Sequence, residues 1–249
     1  MRQRRTPGLV AEARYPTRFM ALPLENAAML TAIYLLCAIS TLTLGGIGLR
    51  RFISAPTLTL ALILPTSYAL PYDSMIIALG RLLGEGPLLV TLNWLRFLLH
   101  VLILPPLAVA LALIVRGAGV RWAKHPAALP GAVFVGLITL VAGLFGDLVG
   151  LQLVPHYRGD VLLYAHAHPV GPPPGAIMLL VASLIYGGAF GLRARWPWIA
   201  LAALYTVLVQ AVPEVGLRGA LINSGEVLLL AALLLAADRF TPAAPVAQA

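Results

Sequence analysis

A single cysteine, Cys37, rules out a disulfide within the chain, and it sits inside an apolar segment where a reactive thiol has no evident use. A single lysine, Lys124, lies in a polar connection between apolar segments. No apolar segment therefore offers a lysine for a Schiff base, which excludes a rhodopsin-like pigment. Charge is scarce as well. Only 10% of the 249 residues are charged, against roughly 25% in an ordinary soluble domain, and nine are acidic. Such a chain cannot cover a globular surface. No internal repeat is evident, no spacing of His, Cys, Asp and Glu matches a metal signature, and Gly84-Glu85-Gly86 is a turn rather than a phosphate loop.

What remains is apolar: 60% hydrophobic residues with a mean hydropathy of +0.92. In lipid the backbone must bond within its own segment, so long apolar runs imply helices. The expected fold is an all-α, polytopic integral membrane protein, a seven-helix bundle. The net charge of +8 is carried by 16 arginines and Lys124, mostly in tails and loops, where it meets lipid headgroups. Membrane lipids are the expected partners, and nucleic acid is not needed to explain the charge.

Taken in order, residues 1–26 form a basic tail and 27–240 a single transmembrane domain, with 241–249 a disordered C-terminal tail. Helix 1 spans about 27–49. Helix 2 starts near Pro56 and is expected to break at Pro65 and Pro71. The amphipathic stretch 73–86 reads as its end or as a short interfacial segment. Helix 3, residues 87–116, is also proline-broken, because Pro105 and Pro106 remove donors from the carbonyls of Val101 and Leu102. Helix 4 spans about 129–154, helix 5 about 174–192, a short helix 6 about 196–212 and helix 7 about 220–237. Gly136, Gly143, Asp147 and Gly150 share a face of helix 4, and Gly187, Gly188 and Gly191 mark helix 5. These small-residue faces suit close helix packing, including a second copy or a membrane-complex partner.

Eight positive charges flank the helix ends on the C-terminal side, which favours the N-terminus outside and the C-terminus inside, in a bacterial cytoplasmic membrane. All four tryptophans lie near segment ends, as expected of interfacial anchors.

Helix 3 carries Asn93, Arg96 and His100 at spacings i, i+3 and i+7. At about 100° per residue they fall within an arc of about 60°. An arginine at mid-membrane costs about 2.5 kcal/mol or more, so this stripe faces a partner or water. Alternation of seven helices puts Asp73, Asp147, Asn223 and Glu226 on the same side of the membrane. The consequence is one polar pocket opening to that face, with Arg96, Asn93 and Asn223 binding substrate and His100, Asp147, Glu226 and Asp73 available for catalysis.

This pattern suits a membrane enzyme acting on a lipid, isoprenoid or other amphiphile by acid–base chemistry. A proton- or ion-coupled carrier is the first alternative, since buried carboxylates also serve transport pathways. A non-catalytic assembly subunit, in which the charges only lock helices together, is the second. No metal is assigned, the His166-Ala167-His168 pair being too little for one, and the sequence does not specify a cofactor.

Overall fold

The computed structural model describes residues 28–168, 171–212 and 217–241. The basic N-terminal tail and all of the C-terminal tail but Thr241 lie outside the described residues. Seven α-helices are present among those described: α1 (Met29–Ser54), α2 (Leu58–Leu83), α3 (Pro87–Gly117), α4 (Ala128–Gly143), α5 (Pro174–Ala194), α6 (Trp198–Gln210) and α7 (Leu217–Phe240). Six are long and apolar enough to cross a membrane, α4 together with the helical turn that continues it to Leu148. The exception is α6, whose 13 residues span about 20 Å at 1.5 Å per residue. It nevertheless runs antiparallel to its neighbours: Gly187 and Gly191 of α5 lie against Ala200 and Pro197, while Tyr205 and Gln210 bond Ser224 and Arg218 of α7. The start of α7 therefore returns to the end of the bundle where α2 ends.

The main apolar core is built from α2, α3, α5, α6 and α7, with Leu107, Leu111, Ile114, Phe190, Leu230 and Leu233 buried in it. Many apolar side chains remain exposed on the outer faces, including Leu36, Phe134, Ile185 and Leu192. Outward-facing apolar surface is what a lipid solvent requires, since it carries no penalty there.

Three sequence-based expectations are changed or narrowed. First, Pro65 and Pro71 lie inside α2, and Pro105 and Pro106 inside α3, each of which continues as one helix. Neighbouring helices support the backbone there: Gly136 of α4 lets α4 approach the Pro105 carbonyl, and a Cβ at that position would stand 2.9 Å from its oxygen. Second, the stretch 73–86 takes the first of its two expected forms, the end of helix 2, and not that of an interfacial segment. Most of it is the last three turns of α2, where Ile76, Ile77, Ala78 and Gly80 are buried. Third, α4 stops at Gly143 and passes into a π-helical turn, Leu144–Leu148, well short of residue 154.

Beyond that turn the chain forms a β-hairpin within the otherwise helical fold. Strands β1 (Leu153–Arg158) and β2 (Val161–His166) pair antiparallel from Leu153↔His166 to Arg158↔Val161. They are joined at Gly159 and Asp160, with Gly159 at φ 56, a conformation open to glycine and strained for most other residues. β2 lies wedged between two apolar clusters. Val161 and Leu163 pack with Leu30, Tyr34, Ile77, Ala78 and Ala220, while Leu162 and Tyr164 pack with Ile76 and Leu89. Both faces of the strand are thus covered.

The hairpin turn also finishes α1. Ala28, at the N-cap, supplies no side-chain bond, and the Asp160 carboxylate accepts from the Leu30 amide at 3.2 Å and the Thr31 amide at 2.9 Å. These first-turn donors have no partner within the helix, and a carboxylate there also opposes the positive end of the helix dipole. Arg81 donates to the Gly159 carbonyl at 3.1 Å and Tyr157 to Glu85 at 2.7 Å, attaching the hairpin to the end of α2 and to the connection that follows it.

Candidate functional site

The polar stripe of α3 meets α2 and α7 beneath the hairpin. Asp73 lies in the second half of α2, within the helix rather than beyond a break. Its Oδ1 accepts from Arg96 Nε at 2.8 Å and its Oδ2 from Asn223 Nδ2 at 3.2 Å. Asn223 Nδ2 also lies 2.9 Å from Ser74 Oγ. On the other edge of the guanidinium, Arg96 donates to Asn93 Oδ1 at 2.7 Å, and Asn93 Nδ2 donates to the Leu89 carbonyl at 2.7 Å. Asn93 can face both ways because its amide offers a donor and an acceptor, so one side chain both satisfies the helix backbone and orients the arginine.

The network is nearly dry. Asn93, Asp73 and Ser74 are buried, and the Arg96 and Asp73 side chains keep only 12% and 7% of their surface. Removing two ions from water is costly, and this pair offsets the cost with a short contact and further hydrogen bonds to neutral groups. Among the described residues, the second terminal amine of Arg96 has no hydrogen-bond partner.

One turn further along α3, His100 Nε2 lies 3.5 Å from Glu226 Oε1 on α7. This pair differs from its neighbour: the His100 and Glu226 side chains retain 27% and 23% exposure. The surrounding helix surfaces, at Phe97, Leu98, Ile222 and Val227, are only partly buried.

Asp147 sits on the π-helical turn after α4 and makes no hydrogen bond among the described residues, although it lies within electrostatic range of His100 and His166. The turn places it near α3 because Gly143 packs on Val101, where a Cβ would be 3.1 Å from the valine side chain. All seven sequence-derived candidates, Asp73, Asn93, Arg96, His100, Asp147, Asn223 and Glu226, thus lie in one region of the bundle. They divide into a sealed Arg96–Asp73–Asn93–Asn223 network and a more open His100–Glu226 pair with Asp147 nearby.

Sequence reasoning missed Ser74, which was legible only as the neighbour of Asp73, and the hairpin that overlies this region. Of the histidines in the 4–5 connection, His166 ends β2 and its Nδ1 accepts from the His168 amide at 3.0 Å. No group of three or more metal-ligating side chains occurs among the described residues. Of the glycines expected to form packing faces, Gly136 and Gly143 lie against α3 and Gly187 and Gly191 against the start of α6, with Gly175 against α4, whereas Gly188 faces open space, as does Gly150, which lies beyond the helix.

No family model matches the chain, and no curated protein is significantly similar to it. The class therefore rests on the fold, that of an all-α integral membrane bundle with a polar cluster set into one half of its interior.

Proposed function

We propose that the protein is a membrane enzyme acting on an amphiphilic substrate, a lipid or isoprenoid, by acid–base chemistry at His100 and Glu226. The observation that carries this reading is the contrast within one polar cluster. Asp73 and Asn93 are buried and bonded, whereas His100 and Glu226 beside them keep about a quarter of their side-chain surface exposed. Charges that merely lock helices together gain nothing from an open imidazole.

In this reading His100 transfers a proton, and Glu226 orients the imidazole and balances its charge. Asp147 supplies a second carboxylate near the same ring. Arg96 is held by Asp73 and Asn93, with Asn223 bracing the carboxylate, and its unbonded amine is directed to an anionic group of the substrate. The hairpin covers the end of α2 and the start of α3 with Leu162 and Tyr164. Exposed Trp94, Phe145 and Leu228 on the neighbouring surfaces favour an approach from the bilayer.

A carrier reading draws less support. Beyond His100 and Glu226 the surrounding interior is largely apolar, with Leu104, Leu107, Leu111, Leu229, Leu230 and Leu233 buried, and the polar groups there are neutral hydroxyls such as Thr66 and Ser67 rather than further carboxylates.

The test compares membranes holding equal folded amounts of the wild-type protein and the His100→Ala, Glu226→Gln and Arg96→Lys variants, using untargeted lipid mass spectrometry. A lipid species consumed or formed with the wild type should change about 100-fold more slowly with His100→Ala, the lower range for loss of a general acid or base. Indistinguishable lipid profiles across folded wild type and variants would overturn the proposal.

A further inference from the structure

At the opposite end of α2 there is a second polar feature, unconnected with the His100 region. A cavity of about 390 Å³ is lined by Pro56, Thr57, Leu58, Thr59, Arg116 and Phe240 among others. It lies where the α1–α2 connection meets the ends of α3 and α7. Thr59 is some 14 residues from Asp73 along α2, which corresponds to about 21 Å.

The donors and acceptors around this cavity are unequally satisfied. Thr57 caps α2 by accepting from the Leu60 amide at 3.2 Å, and the Ala61 amide bonds the Thr57 carbonyl at 3.1 Å. The amides of Leu58 and Thr59 have no backbone partner among the described residues. Thr59 itself is only 3% exposed and lines the cavity, yet its hydroxyl makes no hydrogen bond among the described residues. Arg116 is exposed, and its guanidinium is likewise without an ion pair there.

On the acceptor side, the end of α3 is closed by the Ala118, Gly119 and Val120 amides. The end of α7 is closed at Ala237 by both the amide and the hydroxyl of Thr241. The unused donors that face the cavity are thus the first amides of α2, the Thr59 hydroxyl and the Arg116 guanidinium, beside the apolar walls of Leu113 and Phe240, while α3 and α7 bring their C-terminal ends to its other side.

We infer that this cavity binds a phosphate group, with Thr59, the first amides of α2 and Arg116 as its ligands. Its place at a helix end, beside an apolar wall, suits the phosphate of a lipid headgroup or a free phosphate. Neither source bears on the chemistry proposed for His100, so the two readings stand or fall separately.

The test uses the full-length protein in neutral detergent and native mass spectrometry with phosphatidylglycerol, and diacylglycerol as the uncharged control. In parallel, inorganic phosphate is added while thermal unfolding is monitored. Phosphatidylglycerol should be retained by the wild type and about tenfold less by Thr59→Val and by Arg116→Gln, the effect expected for losing a charge-assisted hydrogen bond. Thr59→Ser, which keeps the hydroxyl, should bind as the wild type does and distinguishes a lost ligand from a damaged fold. Stabilisation by inorganic phosphate that Thr59→Val abolishes identifies free phosphate as a sufficient ligand. Its absence alongside lipid retention identifies the headgroup. Equal retention of diacylglycerol, or retention unchanged in both Thr59→Val and Arg116→Gln, would overturn the inference.

Discussion

Removing Arg96 should cost more than any hydrogen bond it makes, because it strands a carboxylate in the interior. In Arg96→Ala, Asp73 loses its 2.8 Å contact with Nε, Asn93 loses the donor to its Oδ1, and Asp73 keeps only Asn223 at 3.2 Å. Breaking a buried ion pair from one side costs about 3–5 kcal/mol, since the surviving charge has no water to return to. Asp73→Asn strands Arg96 in the same way. The double variant strands neither, so its loss should fall short of the sum of the singles by about 2 kcal/mol or more. The comparison is decisive because neutral interhelical hydrogen bonds in membranes couple by only about 0.6 kcal/mol on average, and independent sites add within about 0.5 kcal/mol. Reversible unfolding in bicelles or mixed micelles measures all four proteins. Additive losses would show that the Arg96–Asp73 pair is not coupled in the folded protein, and the electrostatic account of the cluster would be wrong.

Other outcomes test the surrounding structure. Asp160→Ala should destabilise α1 by about 1 kcal/mol, the usual cost of losing an N-cap, and hydrogen exchange should quicken at the Leu30 and Thr31 amides specifically. Gly80→Ala introduces a Cβ directly against the Leu162 carbonyl. A loss of about 1–3 kcal/mol, typical of overpacking, together with protease cleavage within 153–166, is expected. Tyr157 donates to Glu85, and this bond to the neutral phenol pushes its titration above the ordinary tyrosine value of 10.0. A raised phenol contributes stability below the unfolded value and loses it as pH rises through the folded one. The hairpin attachment should therefore persist through neutral pH and weaken only in alkali, with Tyr157→Phe removing one component that titrates above the ordinary value from the tyrosinate absorbance.

Much of the helical scaffold was legible because apolar length is a local property. A run such as 87–116 has one stable form in lipid, and no remote residue is needed to decide it. The polar stripe was legible for the same reason: Asn93, Arg96 and His100 share a face whatever they meet. Helix continuity was less so. Proline removes a donor locally, but whether the helix breaks depends on the helices packed beside it, and those beside α2 and α3 keep both continuous. The hairpin was hidden more deeply. Val161, Leu162, Leu163 and Tyr164 show no alternation of polar and apolar residues, because both faces of β2 are covered by helices distant in sequence.

By itself the sequence determined the membrane class, the approximate helices and which polar residues share one end of the bundle, since periodicity and chain alternation depend only on order along the chain. Tertiary structure alone decided that Arg96 pairs with Asp73 rather than with Asp147 or Glu226, and that His100 takes Glu226. It also decided that Asp160 closes α1 from 129 residues away. Those choices turn on distances of a few ångströms between separate helices, and only their packing sets such distances.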